Sequence, residues 1–439
     1  MAKQGLRPYE VLLFGATGYT GRLCAEYIHA KLPRDLRWAI AGRSRGKLEA
    51  LSAALLSTDG SRAPPEKCRV VIATVGPYQN HGEPMFQACA KAGTHYVDWF
   101  VGPRNQPLQV LISFSTGETP WIRDMITKYH GVAQRSGAIV SWFLMTLLEC
   151  SQLTFGQMVP SCGFDSIPSD ISALAVVDHI RTHLGSHTAR VDCSVHEIRG
   201  SFSGGTMGSI INAFDLYSLS ELFKLFAPFS LSPRQPNRTR PAIRSSFAAR
   251  VFGLRHVPGL GWMGVNPQGF VDQCYVHRSW GVVADDRAET YGENFDFHAW
   301  IRMPGPIRAI LWHFAMLTAL SLFCLSPARW LVKKMWFKPG DGPAKSFQEQ
   351  SSFELRTLAI ADTPERQGVI GRFRYPGDPY VFTAICLGEA ALLLSRDAPV
   401  QGRLHGGVLT TARLGSAFVK RLEANGVEIS VGEEPLVES

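Results

Sequence analysis

A glycine-rich turn near the start of the chain limits the possible folds more than any other feature. The sequence GATGYTG at residues 15–21 follows a short apolar run, YEVLLF at 9–14. It precedes RLCAEYIHAKL at 22–32, whose apolar residues have helical spacing. Strand, glycine turn and helix in this order are typical of the first unit of a doubly wound parallel sheet.

The alternation of strands and helices continues through the first hundred residues. Apolar, β-rich runs predict strands at 36–41, 69–75 and 94–98, and helical spacing predicts helices at 47–56 and 85–92. This pattern predicts an α/β fold with an N-terminal Rossmann domain, a doubly wound parallel sheet. After about residue 160 the alternation fades, which indicates a second α+β domain.

The glycine turn predicts a dinucleotide site, because amides at a helix N-terminus bind a pyrophosphate. The second strand ends in Gly42-Arg43-Ser44-Arg45 with no carboxylate, and an arginine there suits a 2′-phosphate. We therefore expect NADP(H), with NAD(H) less favoured; a solvated basic turn is the alternative. The predicted cofactor residues are Gly15, Thr17, Gly18, Tyr19, Thr20, Gly21, Arg43, Ser44, Val75, Gly76 and Pro77.

One apolar segment, 309–325, is 17 residues long and lies between Arg308 and Arg329 with tryptophans nearby. It predicts either a buried core helix or a helix that anchors the chain at a membrane surface, and a true single span is less favoured. The first residues lack the apolar segment of a secretory signal. We expect a protein at the cytoplasmic face, associated with a membrane or lipid droplet, and not secreted.

Composition excludes several other classes of protein. The net charge of +8 is modest and diffuse, which argues against a nucleic-acid-binding stripe. The nine cysteines include no CxxC pair, so we expect reduced thiols and no metal site.

Several linked segments resemble the saccharopine dehydrogenase-like oxidoreductase family, which includes trans-acting enoyl reductases. The resemblance rests on GATGYTG, AGRSRGKL, VVIATVGPYQNHGEPMFQACAKAGTHYVD, TGETPWI, SCGFDSIPSD, SGGT, PGDPY and GGVLTTA, which spread in order over nearly the whole chain. It implies a nicotinamide-binding Rossmann domain and a second domain over its cleft. In relatives of this branch a hydrophobic segment is associated with membranes or lipid droplets, which fits 309–325.

The chain also departs from the family pattern. Segments 99–115 and 140–157 have the character of insertions, and the loop before Arg69 is short where the family usually has another strand and helix. We expect a Rossmann domain at 1–158 that contains both insertions, and a second domain at 159–439 whose C-terminal helix returns to the first.

The family has no well-defined catalytic acid and base, so the proton donor stays open. The candidates lie in motifs that this fold would gather near the cleft: Tyr78, Asp98, Glu118, Cys162, Asp165 and Asp170. For each of them a capping or hydrogen-bonding role is the alternative. Tyr27 and Lys31 form a YxxxK pair, which we interpret as accidental because it falls on the first helix.

We therefore expect an NAD(P)H-dependent oxidoreductase that reduces an enoyl or carbonyl group of an apolar, lipid-linked substrate at a membrane surface. The alternatives are a non-catalytic nucleotide-binding scaffold at a membrane or lipid droplet, and a saccharopine-type amino-acid dehydrogenase. Such an amino-acid site would need several convergent Arg and Lys side chains for the substrate carboxylates.

Overall fold

The computed structural model divides the chain into two units, each with its own sheet. The structure describes residues 7–55, 67–75, 82–98, 119–136, 157–199, 218, 220, 221, 224, 227–238, 246–283, 291–327, 351–397 and 407–434. The first unit takes in the described residues within 1–101, 121–164 and 380–425, and the second takes in those within 102–120, 165–379 and 426–439.

The first unit contains a parallel sheet whose described strands number six. These are β1 (Tyr9–Phe14), β2 (Trp38–Ala41), β3 (Cys68–Ala73), β4 (His95–Asp98), β5 (Gln157–Val159) and β12 (Gly407–Val408). The helices are α1 (Tyr19–Lys31), α2 (Arg45–Leu55), α3 (Glu83–Ala92), α4 (Thr119–Arg135), α9 (Pro379–Arg396) and α10 (Gly415–Ala424), with a 3₁₀ turn at Thr411–Leu414. The strands and helices predicted up to Asp98 are confirmed, with ends that differ by up to three residues.

The sheet runs in the order β12-β5-β4-β3-β1-β2, and each of these neighbouring strands pairs in parallel. Val11, Leu12 and Leu13 of β1 are at most 1% exposed, because helices cover both faces of such a sheet. The chain passes from β1 to β2 on one side and later to β3 on the other. Ligands of doubly wound sheets bind where this reversal occurs, at the carboxyl ends of β1 and β3.

The bounds of the first unit differ from the predicted domain at one place, the end of its first part, and the predicted return of the C-terminal part is present. β5 leads into Cys162, whose amide bonds to the carbonyl of Asp98 at 2.7 Å, so the first unit continues to Phe164 rather than ending at 158. Residues 380–425 return to this unit and supply α9, β12 and α10. The proposed insertions lie outside the described residues, except that Gln157 belongs to β5, and the short segment 56–66 lies outside them too.

The second unit contains a mixed sheet in the order β13-β11-β10-β6-β9-β8-β7. Its strands are β6 (Thr188–Arg199), β7 (Arg255–Val257), β8 (Gly261–Val265), β9 (Phe297–Met303), β10 (Ser352–Ala361), β11 (Gly368–Tyr375) and β13 (Glu428–Glu434). Its helices are α5 (Ile167–His183), α6 (Phe247–Val251), α7 (Gly269–Val283) and α8 (Pro306–Phe323). The pairing of β6 with β9 is parallel and the others are antiparallel.

Helix α5 packs on one face of this sheet, over β10 and β11. The contact is close, since a Cβ added at Gly371 would lie 2.6 Å from a methyl carbon of Val176. Thr357, the partner of Gly371 on β10, is on the same face and fully buried. Side chains alternate between the two faces along a strand, so the neighbouring residue Arg356 of β10 lies on the opposite face of the sheet.

The two apolar helices α8 and α9 have opposite exposure. In the described part of the chain, α9 has the length and hydropathy of a membrane span, but 89% of it is buried within the protein. Helix α8 begins three residues before the predicted segment and carries exposed Ile307, Leu311 and Phe314. Helix α9 is therefore a core helix of the first unit, whereas α8 presents apolar side chains to the surroundings.

A candidate NADP site at the carboxyl edge of the parallel sheet

The turn after β1 requires glycine at two positions. Gly15 has a φ of +94°, and a Cβ there would lie 2.7 Å from Thr74 Oγ1. A Cβ at Gly21 would lie 2.2 Å from the carbonyl oxygen of Gly15, closer than any real contact. The amide of Gly18 donates to that same carbonyl at 2.9 Å and closes the turn. The backbone packing of the turn therefore requires glycine at residues 15 and 21, whether or not a ligand is bound.

Gly18 has a different role from Gly15 and Gly21. It is the exposed N-cap of α1 and supplies no side-chain cap, and the first turn of α1 contains no acidic residue. A Cβ here would contact only backbone oxygens, the nearest at 3.3 Å. The positive end of the α1 dipole is therefore free of a carboxylate of its own and suits an anionic group.

The side chains of the turn have distinct environments. Thr20 is buried, whereas Thr17 is half-buried and lies 3.4 Å from where a Cβ of Gly42 would stand. The ring of Tyr19 meets that of Tyr380 edge-on, with 5.4 Å between centroids. Thr17 thus brings the glycine turn against the end of β2.

Thr74 is a residue of this site that the sequence did not single out. It directly follows β3, and its hydroxyl donates to the carbonyl of Phe14 at 3.0 Å. It contacts the positions of both Gly15 and Gly21, so it ties the carboxyl ends of β1 and β3 together. Its position one residue before Val75 was the available signal. The predicted residues Gly76, Pro77 and Tyr78 lie outside the described residues.

The arginines after β2 differ in their partners. Arg45 begins α2 and forms an ion pair with Glu49 at 2.7 Å, which raises the pKa of the guanidinium. Arg43 is exposed, and within the described residues no carboxylate pairs with it. Ser44 accepts the amide of Leu48 through its carbonyl, so it starts the helix. Of the two arginines, Arg43 is the one available to a phosphate.

These residues fit a bound NADP. The turn leaves a helix N-terminus open at Gly18, and a single available guanidinium stands after the neighbouring strand. The pyrophosphate would lie at residues 15–21, and Arg43 would bind the 2′-phosphate. Among the described residues no group of three or more His, Cys, Asp or Glu side chains could hold a metal ion.

Asp98 lies farther along the same edge, at the end of β4. Its Oδ1 accepts the amide of Ser161 at 2.8 Å, and its side chain is 3% exposed. Burial raises the pKa of Asp98 to about 7, although the hydrogen bond from the Ser161 amide and the nearby Tyr96 hydroxyl oppose that shift. Asp98 therefore keeps its proton at pH values where an ordinary carboxyl has lost it, and it titrates near neutral pH.

Cys162 lacks the surroundings of a reactive thiol. It is fully buried, and burial raises its pKa well above the usual value, with Asp98 adding to the effect. Its Sγ lies 3.8 Å from the carbonyl oxygen of Cys386. A buried thiol of this kind stays protonated and packs as an apolar group.

Two other predicted acids belong to the second unit. Burial raises the pKa of Asp165 to about 7, and its carbonyl accepts from Gln268 Nε2 at 3.2 Å. Asp170 is fully buried and accepts the hydroxyl of Ser279 at 2.5 Å. Asp272, which the sequence did not indicate, accepts from Ser169 at 2.8 Å, and burial raises its pKa well above the usual range. Asp170 and Asp272 thus each accept a hydrogen bond from a serine within the core.

The remaining candidates are simple to place. Glu118 lies outside the described residues. Tyr27 is a core residue whose hydroxyl donates to Glu389 at 2.6 Å, and its pKa is strongly raised by burial and by that carboxylate. This contact accounts for Tyr27 without any catalytic role.

The fold and the glycine turn together define a dinucleotide-binding protein of the doubly wound α/β class. A sequence model of the saccharopine dehydrogenase NADP binding domain matches residues 11–140, which include the glycine turn and Arg43. A protein of Mycobacterium tuberculosis (strain ATCC 25618 / H37Rv), provisionally named a trans-acting enoyl reductase, is 30% identical over 451 residues, covering 96% of this chain and 97% of its own. The chain belongs to the saccharopine dehydrogenase-like oxidoreductase family, which includes the trans-acting enoyl reductases.

Two further matches cover nearly the whole chain. The trans-acting enoyl reductase of Mycobacterium ulcerans (strain Agy99) is 28% identical over 455 residues, covering 97% of this chain and 98% of its own. The solved structure of apo saccharopine dehydrogenase (L-Glu forming) from Saccharomyces cerevisiae covers 97% of this chain and 100% of its own, with 11% identity and a TM-score of 0.43.

Proposed function

We propose that this chain is an NADPH-dependent oxidoreductase that reduces an enoyl or carbonyl group of an apolar, lipid-linked substrate at a membrane surface. The observation that carries the proposal is the glycine turn, closed against Thr74 and followed after β2 by the available Arg43. The names of the full-length relatives support an enoyl substrate. A guanidinium at this position favours NADPH over NADH.

Bound NADPH would supply a hydride to one carbon of the double bond, and a proton must reach the neighbouring atom. Asp98 is the favoured proton donor in the first unit, because its pKa of about 7 keeps a proton on the carboxyl near neutral pH. Asp165 in the second unit has the same property and is the alternative. Tyr78 and Glu118 remain predictions from the sequence.

The exposed apolar side chains of α8 support the proposed location at a membrane surface. The exposed fraction is 73% for Ile307 and 64% for Leu311, and the series continues along the helix with Phe314, Leu317, Leu320 and Leu322 and, just after it, Leu325. The opposite side of the helix is anchored, since Ala309 and Met316 are buried and Trp312 donates to the carbonyl of Val265 at 2.8 Å. Such a helix can lie in the plane of a membrane interface.

Helix α6 enlarges this surface. A Cβ added at Gly253, just after α6, would lie 2.5 Å from Cβ of His313, so the end of α6 lies directly against α8. Phe247, Val251 and Phe252 are exposed beside it. We define the α6–α8 surface as these three residues together with the exposed apolar residues of α8. Exposed Arg308 would meet anionic headgroups.

The decisive experiment is NADPH oxidation by the full chain with trans-2-enoyl thioesters of increasing acyl length, with and without vesicles. We expect turnover that rises with chain length and on addition of vesicles. Saccharopine with NADP⁺ serves as the amino-acid control. Binding of NADPH without turnover on any enoyl or carbonyl substrate would contradict the proposal and favour the non-catalytic scaffold.

A melting curve with and without saturating NADPH tests the cofactor part alone. Ligand at 100 times its dissociation constant adds about 2.7 kcal/mol to the free energy of unfolding. We expect an upward shift of Tm that is larger with NADPH than with NADH. Equal shifts with the two cofactors would contradict the role of Arg43.

A further inference from the structure

A second polar cluster lies in the second unit, on the face of its sheet opposite α5. It centres on β6, where Ser194 pairs in register with Arg356 of β10 and with Trp300 of β9. Side chains in register share a face, so Ser194 and Arg356 point to the same side. None of these residues was predicted from the sequence as part of a site.

The pairing of β6 with β10 is interrupted at His196. Leu355 pairs with Val195 and Glu354 pairs with Glu197, so His196 is the extra residue of a β-bulge. Bulges reorient a side chain and are common beside functional sites. Burial lowers the pKa of His196 to about 4, and the neighbouring charges of Arg356 and Arg302 act in the same direction. His196 therefore lies among these two arginines as a neutral ring.

Three buried polar atoms in this cluster have no hydrogen-bond partner among the described residues. Ser194 is fully buried and its Oγ is unpartnered, and so are Nδ1 and Nε2 of His196. Buried polar atoms are rarely left unpaired in folded proteins, because the loss of hydration costs free energy. The hydroxyl and the one N–H of the neutral ring can each donate a hydrogen bond to a ligand.

The charges around these atoms favour an anion. Glu354 is shared between Arg356, at 2.7 Å, and Arg372, at 2.6 Å. Arg302 is exposed and forms no ion pair with the described residues. Glu197 is paired with Arg199. Glu354 is thus shared by two guanidinium groups, and Arg302 is left to bind an oxyanion from the solvent side.

We propose that the bulge at His196 is an anion-binding site, in which Ser194, His196, Arg302 and Arg356 hold a small oxyanion, a phosphate or carboxylate group. The site lies within the second unit and is separate in sequence from the glycine turn. It does not depend on the proposed reductase activity. Arg302 binds the oxyanion, and Arg356 adds positive charge beside it while it stays paired with Glu354. The hydroxyl of Ser194 and a ring N–H of His196 donate to the oxyanion.

Calorimetric titration of the full chain with inorganic phosphate, and separately with acetate, at constant ionic strength tests the proposal. We expect saturable binding of one of these anions. Arg302→Gln and Ser194→Ala should each weaken it at least tenfold, with little change in Tm. Arg374→Gln is the matched control, because Arg374 is an arginine of β11 already paired with Glu428 at 3.0 Å. It should bind as the wild type does.

Arg43→Ala separates this site from the cofactor turn, which could also bind phosphate. The anion affinity should be unchanged in that variant, whatever its effect on NADPH. Unchanged affinity in Arg302→Gln, a loss confined to Arg43→Ala, or no saturable binding of either anion would overturn the proposal.

Discussion

The backbone amide of Ser161 donates to Oδ1 of Asp98 at 2.8 Å, and Ser161 has a φ of +57°. Few residues other than glycine adopt this left-handed conformation. It costs free energy, which the contacts around Ser161 must offset. The carbonyl of Asp98 also accepts the amide of Cys162 at 2.7 Å. One residue at the end of β4 thereby fixes the path of the chain as it leaves β5.

The protonation of Asp98 should appear in the pH dependence of stability. Its pKa is raised from 3.8 to about 7 in the folded state, so its contribution to stability is present below pH 4 and is lost as the pH rises toward 7. Asp98→Asn, which can still accept the Ser161 amide, should flatten the curve by up to about 1.4 kcal/mol per pH unit in this window.

Urea unfolding of the wild type and of Asp98→Asn from pH 4 to 8 measures this difference. Asp98→Ala, which removes the acceptor, should lower stability at every pH. Parallel curves for the wild type and Asp98→Asn would show that Asp98 does not titrate in this range.

Arg43→Ala should weaken NADPH binding about tenfold or more and leave NADH binding nearly unchanged, because a single charged hydrogen bond to the 2′-phosphate is lost. The matched control is Arg45→Ala, since that exposed guanidinium is already paired with Glu49. Fluorescence titrations with both cofactors give the ratio directly. An equal loss for NADPH and NADH would contradict the assignment of Arg43.

Gly21→Ala should damage the turn itself. The added Cβ would lie 2.2 Å from the Gly15 carbonyl oxygen, so the backbone must move, and we expect a loss of about 2 kcal/mol or more together with loss of NADPH binding. Gly46→Ala in α2 is the control, because nothing lies within 4 Å of its Cβ, and it should change stability by less than about 1 kcal/mol. Denaturant unfolding compares the two, and equal effects would refute the steric argument.

Ile307→Glu and Leu311→Glu should reduce flotation of the protein with anionic vesicles several-fold, since each places a charge on the exposed apolar side of α8. Phe270→Glu is the control, because Phe270 is 44% exposed on α7, outside the α6–α8 surface. Melting curves should be similar for all three variants. Flotation that is unaffected by Leu311→Glu would argue against the membrane part of the proposed function.

The sequence predicted much of the first unit because its signals are local. The glycine spacing at 15–21 and the alternating apolar runs depend on neighbouring residues, so strands, helices and turn follow from the chain itself. Arg43 was predicted for the same reason, since it directly follows a strand next to the glycine turn. The sequence does not show that α8 is exposed and α9 is buried, because both helices are long and apolar.

The tertiary structure decided everything that depends on pairing between distant segments. Thr74 joins the site only because β3 lies beside β1. The bulge at His196 exists only in the register of β6 against β10, more than 150 residues apart. Residue type and spacing determine which local structures form, whereas burial, pKa and hydrogen-bond partners arise only when distant segments exclude water together.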